Sequence, residues 1–296
     1  MTTRAEPTPS SSLTPASTQR GPQSRSVHIA PSKRWLNLDL PELWAYRGLY
    51  FFLVWRDVKV RYAQTVLGAL WAVLQPVFSM VVVTAIFGRL VRVPSEGVPY
   101  PVFSLCGIVA WNYFSGALGG ASISLVSNSG LITKVYFPRL VIPGAAALAA
   151  LVDFAIALVV LLLVMLGYGR IPTLSAIVVL PLMVGLMMMT ALGTGCLLAA
   201  LNIQYRDVRQ ATGFLIQMWM YASPIVYPLS VVPRAYRSLY TLNPMASAIS
   251  GFRAALLGTS GPSMAEFAVA FGSATVMLVT GVLYFQRTER RFADVA

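Results

Sequence analysis

From Leu53 to Pro76 the chain reads LVWRDVKVRYAQTVLGALWAVLQP, and the change of character inside that stretch decides the fold. Arg56, Asp57, Lys59 and Arg61 crowd its first half, whereas Val66 to Phe87 carries no charge at all. At 1.5 Å per residue the uncharged run is long enough to cross a hydrocarbon core of roughly 30 Å. The charged block could cap a soluble helix, form a nucleic-acid patch or rest on a membrane surface. On a helix, Phe51, Trp55, Val58 and Tyr62 share one face, and Asp57, Arg61 and Gln64 the opposite one, with Asp57 and Arg61 spaced to pair at i,i+4. Lys59 edges the apolar stripe, where its stem can snorkel, and Val60 falls on the polar side. Because the next element must enter lipid at Val66, residues 35–65 are expected to form an amphipathic interface helix carrying Trp55, Arg56, Lys59 and Arg61.

The whole composition points the same way. Of 296 residues, 57% are apolar and 11% charged, against about 25% charged in typical soluble proteins. The net charge of +12 does not indicate nucleic acid, because the basic residues punctuate apolar runs and do not share one aromatic-rich surface. Further uncharged runs cover 100–121, 140–166, 174–201, 211–229 and 267–285, and Asp153 is the one charge inside any of the six. The expected fold is therefore an all-α integral membrane protein with six transmembrane helices, the permease domain covering 66–290. Lys and Arg number 16 on the side of the termini and six on the other, so both termini, including 291–296, are expected in the cytoplasm. Residues 1–34, half of them Ser, Thr or Pro, are expected to be a disordered cytoplasmic tail.

Proline breaks the regularity at Pro76, Pro181, Pro224 and Pro228, each removing a backbone hydrogen bond that lipid cannot replace. Between 230 and 266 the sequence is too polar to span but has near-helical apolar spacing, so short re-entrant or interfacial helices are expected between spans 5 and 6. Gly116 with Gly120, and Gly193 with Gly195, mark possible close helix contacts. Cys106 and Cys196 lie inside apolar runs and are expected to act as small buried apolar residues.

Catalytic chemistry is poorly supplied. Lys33, Lys59 and Lys134 follow Ser32, Val58 and Thr133, so none belongs to a phosphate-binding P-loop. The single histidine, His28, excludes a zinc HExxH site and a His-based triad. No catalytic residues, cofactor or metal are expected. Asp153 is the exception: a carboxylate at a helix centre costs about 2.5–3.5 kcal/mol on insertion scales, so it either couples transport to protons or bonds a neighbouring helix.

The stretches WRDVKVRYAQTVLGALWAVLQP, VPYPVFSLCGIVAWNYFSGAL, NSGLITKVYFPRLVIP, LAALNIQYRDVR and YPLSVVPRAYRSLYTLNPM, with a following GFR, occur in order from about residue 40 to 290. They closely resemble the permease subunits of type-2 ABC exporters, in the branch exporting polysaccharides and polyol phosphates such as lipopolysaccharide O-antigen and teichoic acid. The resemblance implies a bacterial inner-membrane channel subunit that works as a homodimer with separate ABC ATPase subunits and moves a lipid-linked glycan among membrane lipids. It also implies that spans 1 and 5 face the path and that cytoplasmic loops dock on the ATPase.

Physical reading meets those implications at three places. In SNSGLITKVYFPRL, Asn128 and Ser129 can cap a short helix, and an element exposing Leu131, Ile132, Val135 and Phe137 beside Lys134 and Arg139 suits a socket on a partner; from the residues without the resemblance, an ordinary basic loop is the better reading. Tyr205, Arg206, Asp207 and Arg209 crowd a short link that could touch the ATPase, close the inner mouth through Arg–Asp pairing, or be a solvated turn. Trp71, Phe78, Trp219 and Tyr221 could line a channel, since aromatic faces suit sugars; Trp111, Tyr113, Phe114 and Tyr227 offer the same chemistry, with core packing the better reading for Trp111 and Tyr113. The competing functions are an ABC exporter of a small molecule or drug, a proton-coupled carrier using Asp153, and a membrane transferase, which would want carboxylate or His clusters that the loops lack.

Overall fold

The computed structural model describes Thr2 and residues 44–63, 70–134 and 137–289. The tail 1–34, the C-terminus 291–296 and the entry into the first span at Val66 lie outside the described residues, as does Val135. All elements belong to the unit Asp39–Ala296 and, among the described residues, all are helical. In chain order they are α1 (Arg47–Tyr62), α2 (Leu70–Val83), a π-helical continuation of α2 (Thr84–Leu90), α3 (Tyr100–Ser127), α4 (Ser129–Ile132), α5 (Val141–Gly167), α6 (Ala176–Gln204), α7 (Val208–Tyr221), a 3-10 turn (Leu229–Val231), α8 (Arg234–Thr241), α9 (Pro244–Leu257) and α10 (Met264–Glu289).

Five helices are long and apolar enough to cross a membrane: α2 with its π turn, α3, α5, α6 and α10. The expected sixth pass, over 211–229, is not one long helix: its helical part is the 14-residue α7, about 21 Å long at 1.5 Å per residue and short of the core thickness by itself. Pro224 is the cause. It lacks an N–H, collides with the carbonyl of the preceding turn and pushes Ser223 out of helical geometry, so the helix ends at Tyr221. The chain nevertheless continues alongside α3. Ile216 lies by Gly119, Trp219 stacks edge-on against Phe114 at 5.0 Å, and the Tyr100 hydroxyl at the start of α3 donates to the Val226 carbonyl at 2.7 Å.

The core lies between α3, α5, α6, α9 and α10. α3 is the central element, 78% of its spanning window being buried, whereas α2 has 6% and lies outermost. Phe103, Phe114, Leu118, Phe154, Leu161, Met187 and Phe252 fill the interior without exposure above 6%. A second cluster at the opposite end joins Leu53, Leu125, Ile132, Phe137, Cys196, Val282 and Phe285. Both cysteines are buried and unpaired, as their setting in apolar runs requires.

Of the small-residue contacts, Gly116 and Gly120 leave room for a methyl group against Ala150 and Ala146. The close approach is at the other expected pair: a Cβ on Gly193 of α6 would meet the Leu278 backbone, one on Gly195 would press on Ala121 of α3, and one on Gly281 of α10 would strike the Gly193 carbonyl. Two helices in backbone contact gain van der Waals and Cα–H···O contacts that lipid does not offer as alternatives. Gly281→Ala should therefore cost about 1–3 kcal/mol through overpacking, while Gly116→Ala should stay within about 0.5 kcal/mol; thermal unfolding of the detergent-purified protein reads the difference.

Candidate functional site

The C-terminal end of α7 is a backbone problem with a specific solution. Once the helix stops, the carbonyls of Pro224, Ile225, Val226 and Tyr227 have no helical donors, and in this buried to half-buried stretch each unsatisfied group costs about 1–3 kcal/mol. Arg253, 2% exposed on α9, answers three of them: its guanidinium donates to Pro224 O at 2.6 Å, to Tyr227 O at 3.3 Å and to Ile225 O. Its Nε reaches Phe103 O at 3.4 Å, and the cation sits 3.8 Å over the Phe103 ring. The fourth carbonyl, Val226, takes the Tyr100 hydroxyl. Only a planar, permanently charged fork offers five N–H groups in this geometry, and Gly107 leaves space for it, since a Cβ there would collide with Arg253 and Ile225.

Asn243 performs the same service one turn earlier. Its side-chain oxygen accepts from the Met245 backbone at 3.0 Å, capping α9, and from the Trp219 indole N–H at 2.8 Å; its amide donates to Ala222 O at 3.0 Å and Ser223 Oγ at 3.1 Å. Pro244 at the first helical position and the left-handed Gly258 at the end define α9. The short helices expected between the last two passes are thus α8 and α9, and α9 is built into the bundle. Tyr227 and Tyr240 share a hydrogen bond of 2.6 Å; burial first, then that bond, push the Tyr240 phenol up, so it stays protonated at physiological pH.

At mid-α5, Asp153 is not isolated. It accepts from Arg61 and from the Tyr62 hydroxyl at the end of α1. The expected Asp57–Arg61 pair is corrected accordingly: Asp57 pairs with its neighbour Arg56 at 2.7 Å, and Arg61 turns to α5. Halfway along an apolar helix a carboxylate is costly without a cation, and Arg61 supplies one from α1, while Asp57, itself half-buried, is already served by Arg56. α1 consequently packs lengthwise on the first half of α5, with Tyr50 against Gly144, Leu53 buried, and Phe51 and Trp55 facing outward; Lys59 is exposed.

The loops expected on the cytoplasmic side depart from expectation in one respect. Ile132 and Phe137 are buried at 7% and 4% exposure in the inner cluster, so neither is available to a socket. An apolar side chain in a short loop lowers its free energy most by folding back onto its own bundle. Leu131 is half-buried, and Lys134 faces outward. The short helix α4 forms, but the Asn128 amide bonds back to Ser124 O at 2.8 Å and no side chain caps α4. Arg139 is tied to Glu289 of α10. Tyr205, Arg206 and Asp207 are exposed in the link between α6 and α7, and among the described residues no ion pair joins Asp207 to Arg206 or Arg209.

Of the aromatic candidates, Trp71 and Phe78 on α2 and Tyr221 on α7 are exposed at 56%, 63% and 63%, while Trp219 turns inward to Phe114 and Asn243. Trp111, Tyr113 and Phe114 pack in the core. Sequence reasoning missed what accompanies the exposed aromatics. Gln75 lies between Trp71 and Phe78 on one face of α2, and Gln210 and Gln217 share the exposed side of α7 with Phe214 and Tyr221. The exposed faces of α5 and α6 instead carry Val159, Leu163, Leu166, Ile177, Val178 and Leu182. The i, i+4, i+7 spacing of Trp71, Gln75 and Phe78 is a signal that could have been read from the sequence.

Arg253→Ala should strip three carbonyls of their donor and cost upwards of about 3 kcal/mol, at about 1–3 kcal/mol for each group left bare. Arg253→Lys should recover only part of it, because a point ammonium cannot serve the fork; thermal unfolding of both variants measures this, and equal stability of the alanine variant would refute it. A double-mutant cycle on Arg61→Gln and Asp153→Asn should give a coupling of about 0.5–3 kcal/mol; an additive result would show the pair to be energetically idle.

Residues 48–257 match the model of the family described as ABC-2 type transporter. The chain is 33% identical over 260 residues to the O-antigen export system permease protein RfbA of Myxococcus xanthus, covering 86% of this chain and 97% of that protein. It is 27% identical over 241 residues to an O-antigen export system permease protein RfbA of Klebsiella pneumoniae, covering 81% and 92%. It is 24% identical over 203 residues to the polysialic acid transport protein KpsM of Escherichia coli, covering 68% and 78%.

Proposed function

The chain belongs to the ABC-2 type transporter family, and from that premise we propose that it is the permease half of an exporter moving a lipid-linked polysaccharide or polyol phosphate outward across the inner membrane. It is a multi-pass inner-membrane protein and not itself an enzyme; ATP is hydrolysed by a separate partner subunit. The names of the relatives, which concern O-antigen and polysialic acid, favour a polymer over a small molecule or drug.

One observation carries the reading. The interior of the bundle is filled with side chains, so a polymer cannot pass through a single subunit. The exposed faces of α2 and α7, by contrast, combine Gln75, Gln210 and Gln217 with Trp71, Phe78, Phe214 and Tyr221. Amides facing hydrocarbon are costly, whereas lining a wet path they offer both donors and acceptors to sugar hydroxyls. Aromatic faces beside them give weak, repeated contact with sugar rings. A path on the outside of one subunit needs a second wall, which a second copy in a homodimer supplies. Both termini, α4, Lys134 and the Tyr205–Asp207 link then face the cytoplasm, in keeping with the excess of Lys and Arg on that side. There they are available to the ATPase, with Leu131 and Arg139 behind them. The ion pair of Asp153 with Arg61 accounts for that carboxylate without proton coupling.

Purification of the tagged permease in mild detergent should recover an ATPase subunit with it; a lone permease in several detergents would sink the exporter reading. Loss of the permease should trap lipid-linked glycan in the cytoplasmic leaflet, and unchanged surface polysaccharide would exclude polymer export. Gln217→Leu should lower export about tenfold, roughly the worth of one lost hydrogen bond to substrate, with the permease still folded and ATPase-bound; undiminished surface polysaccharide would remove α7 from the path.

A further inference from the structure

The inner loop after α3 is fastened to the last helix by a reciprocal clasp. Arg139 donates through Nη1 to the main-chain carbonyl of Glu289, in the last turn of α10, where carbonyls lack donors from within the helix. In return the Glu289 carboxylate accepts from the Arg139 backbone N–H at 3.3 Å. A guanidinium at a helix C-terminus also meets the negative end of the macrodipole. Directly behind the clasp, Ile132 and Phe137 from the loop are buried with Val282 and Phe285 of α10. The loop is therefore attached to α10 by its two buried apolar side chains and by both functional groups of Arg139.

α10 in turn cannot slide independently. Gly281 lies against the backbone of Gly193 on α6, and further along, Ser247 of α9 bonds to Glu266 O at 3.4 Å. α9 carries Arg253, which holds the broken end of α7. A continuous series of packed contacts thus runs from the inner loop through α10 and α9 to the segment beside the exposed face of α7.

We propose that the Arg139–Glu289 clasp makes α10 the element that transmits displacement of the ATPase-facing loop to the outer end of the permease. Arg139 and Glu289 are thus positioning residues for transport, in contact with neither substrate nor nucleotide. This rests on the exporter reading above. It departs from the plain docking role that the loop's basic residues suggest, because Arg139 points into its own subunit.

The test uses the full permease co-expressed with its ATPase subunit and reads three quantities: recovery of the ATPase with the permease, ATP hydrolysis by the purified complex, and polysaccharide at the cell surface. Glu289→Ala should leave recovery and hydrolysis within about twofold of the unaltered complex and lower surface polysaccharide about fivefold or more, the size of effect expected of a coupling contact remote from both ligands. Glu289→Gln should export normally, because the amide oxygen still accepts from the Arg139 N–H. A residue that merely stabilised the fold would lower all three readings together. Arg139→Gln removes the helix cap while keeping the backbone N–H, and it stands in as the deciding variant should Glu289→Ala fail to accumulate. Normal export from both Glu289→Ala and Arg139→Gln overturns the clasp, and so does loss of the ATPase from the variants alone, which would make it a docking contact. An ATPase absent even from the unaltered permease overturns the exporter reading and the clasp with it.

Discussion

Four consecutive carbonyls, Pro224 to Tyr227, set the terms for the half of the bundle around α9. A membrane protein is free to break a helix only where its own groups replace the lost donors. Here the replacement comes from two places distant in sequence, Tyr100 at the start of α3 and Arg253 on α9. Several features follow from that one requirement. α9 must enter the bundle to bring Arg253 within reach, so it needs a firm start at Asn243 and a turn at Gly258 to leave again. Position 107 must lack a side chain so that the guanidinium fits. The cation itself is tolerable at this depth because carbonyl oxygens and the Phe103 ring surround it.

The other half obeys a different constraint. Asp153 sits where an apolar helix would lose least by having none, and its compensation is Arg61 with Tyr62. Because those two residues end α1, the carboxylate dictates where that helix lies: along α5. The phenol of Tyr50 resting on Gly144 supplies the second point that fixes the direction. Burial of the Tyr50 hydroxyl raises its pKa, as expected for a group shielded between two helices.

Much of this architecture was legible in the residues, and the failures have identifiable causes. Runs free of charge located all five long helices, because exclusion of charge from hydrocarbon is a local property of a segment. The same criterion overextended α7, since counting apolar residues through Pro224 and Pro228 ignores that proline ends the hydrogen-bonded ladder before the run ends. Asp57 looked like the partner of Arg61 because spacing on one helix is visible in sequence, whereas Asp153 lies 92 positions away. The role of Arg253 was hidden for the same reason: nothing local distinguishes a solvated arginine from one that satisfies a distant break. Ile132 and Phe137 were ambiguous in principle, as an apolar residue in a loop can face a partner or its own core, and only the fold decides. The GxxxG spacing at Gly116 was visible but slack, while Gly281, in no such motif, makes the tight contact.

The amide-bearing faces of α2 and α7 join these observations to the function. A side chain such as Gln75 or Gln217 is ordinary on a soluble helix and expensive on one surrounded by lipid, so its exposure on an isolated subunit signals an environment the subunit alone does not supply. The interior cannot supply it, being close-packed from Phe103 to Phe252. The wet path proposed above, bounded by a second copy, would supply it and would account for α2 being the least buried long helix among the described residues: one of its faces rests on α3 and α5, and the other is left for the proposed partner copy and cargo. In that proposal the break at Pro224 falls at one end of the path, and because Arg253 and Tyr100 already satisfy its polar backbone, the adjoining face of α7 would meet sugar hydroxyls without a carbonyl of its own competing for them.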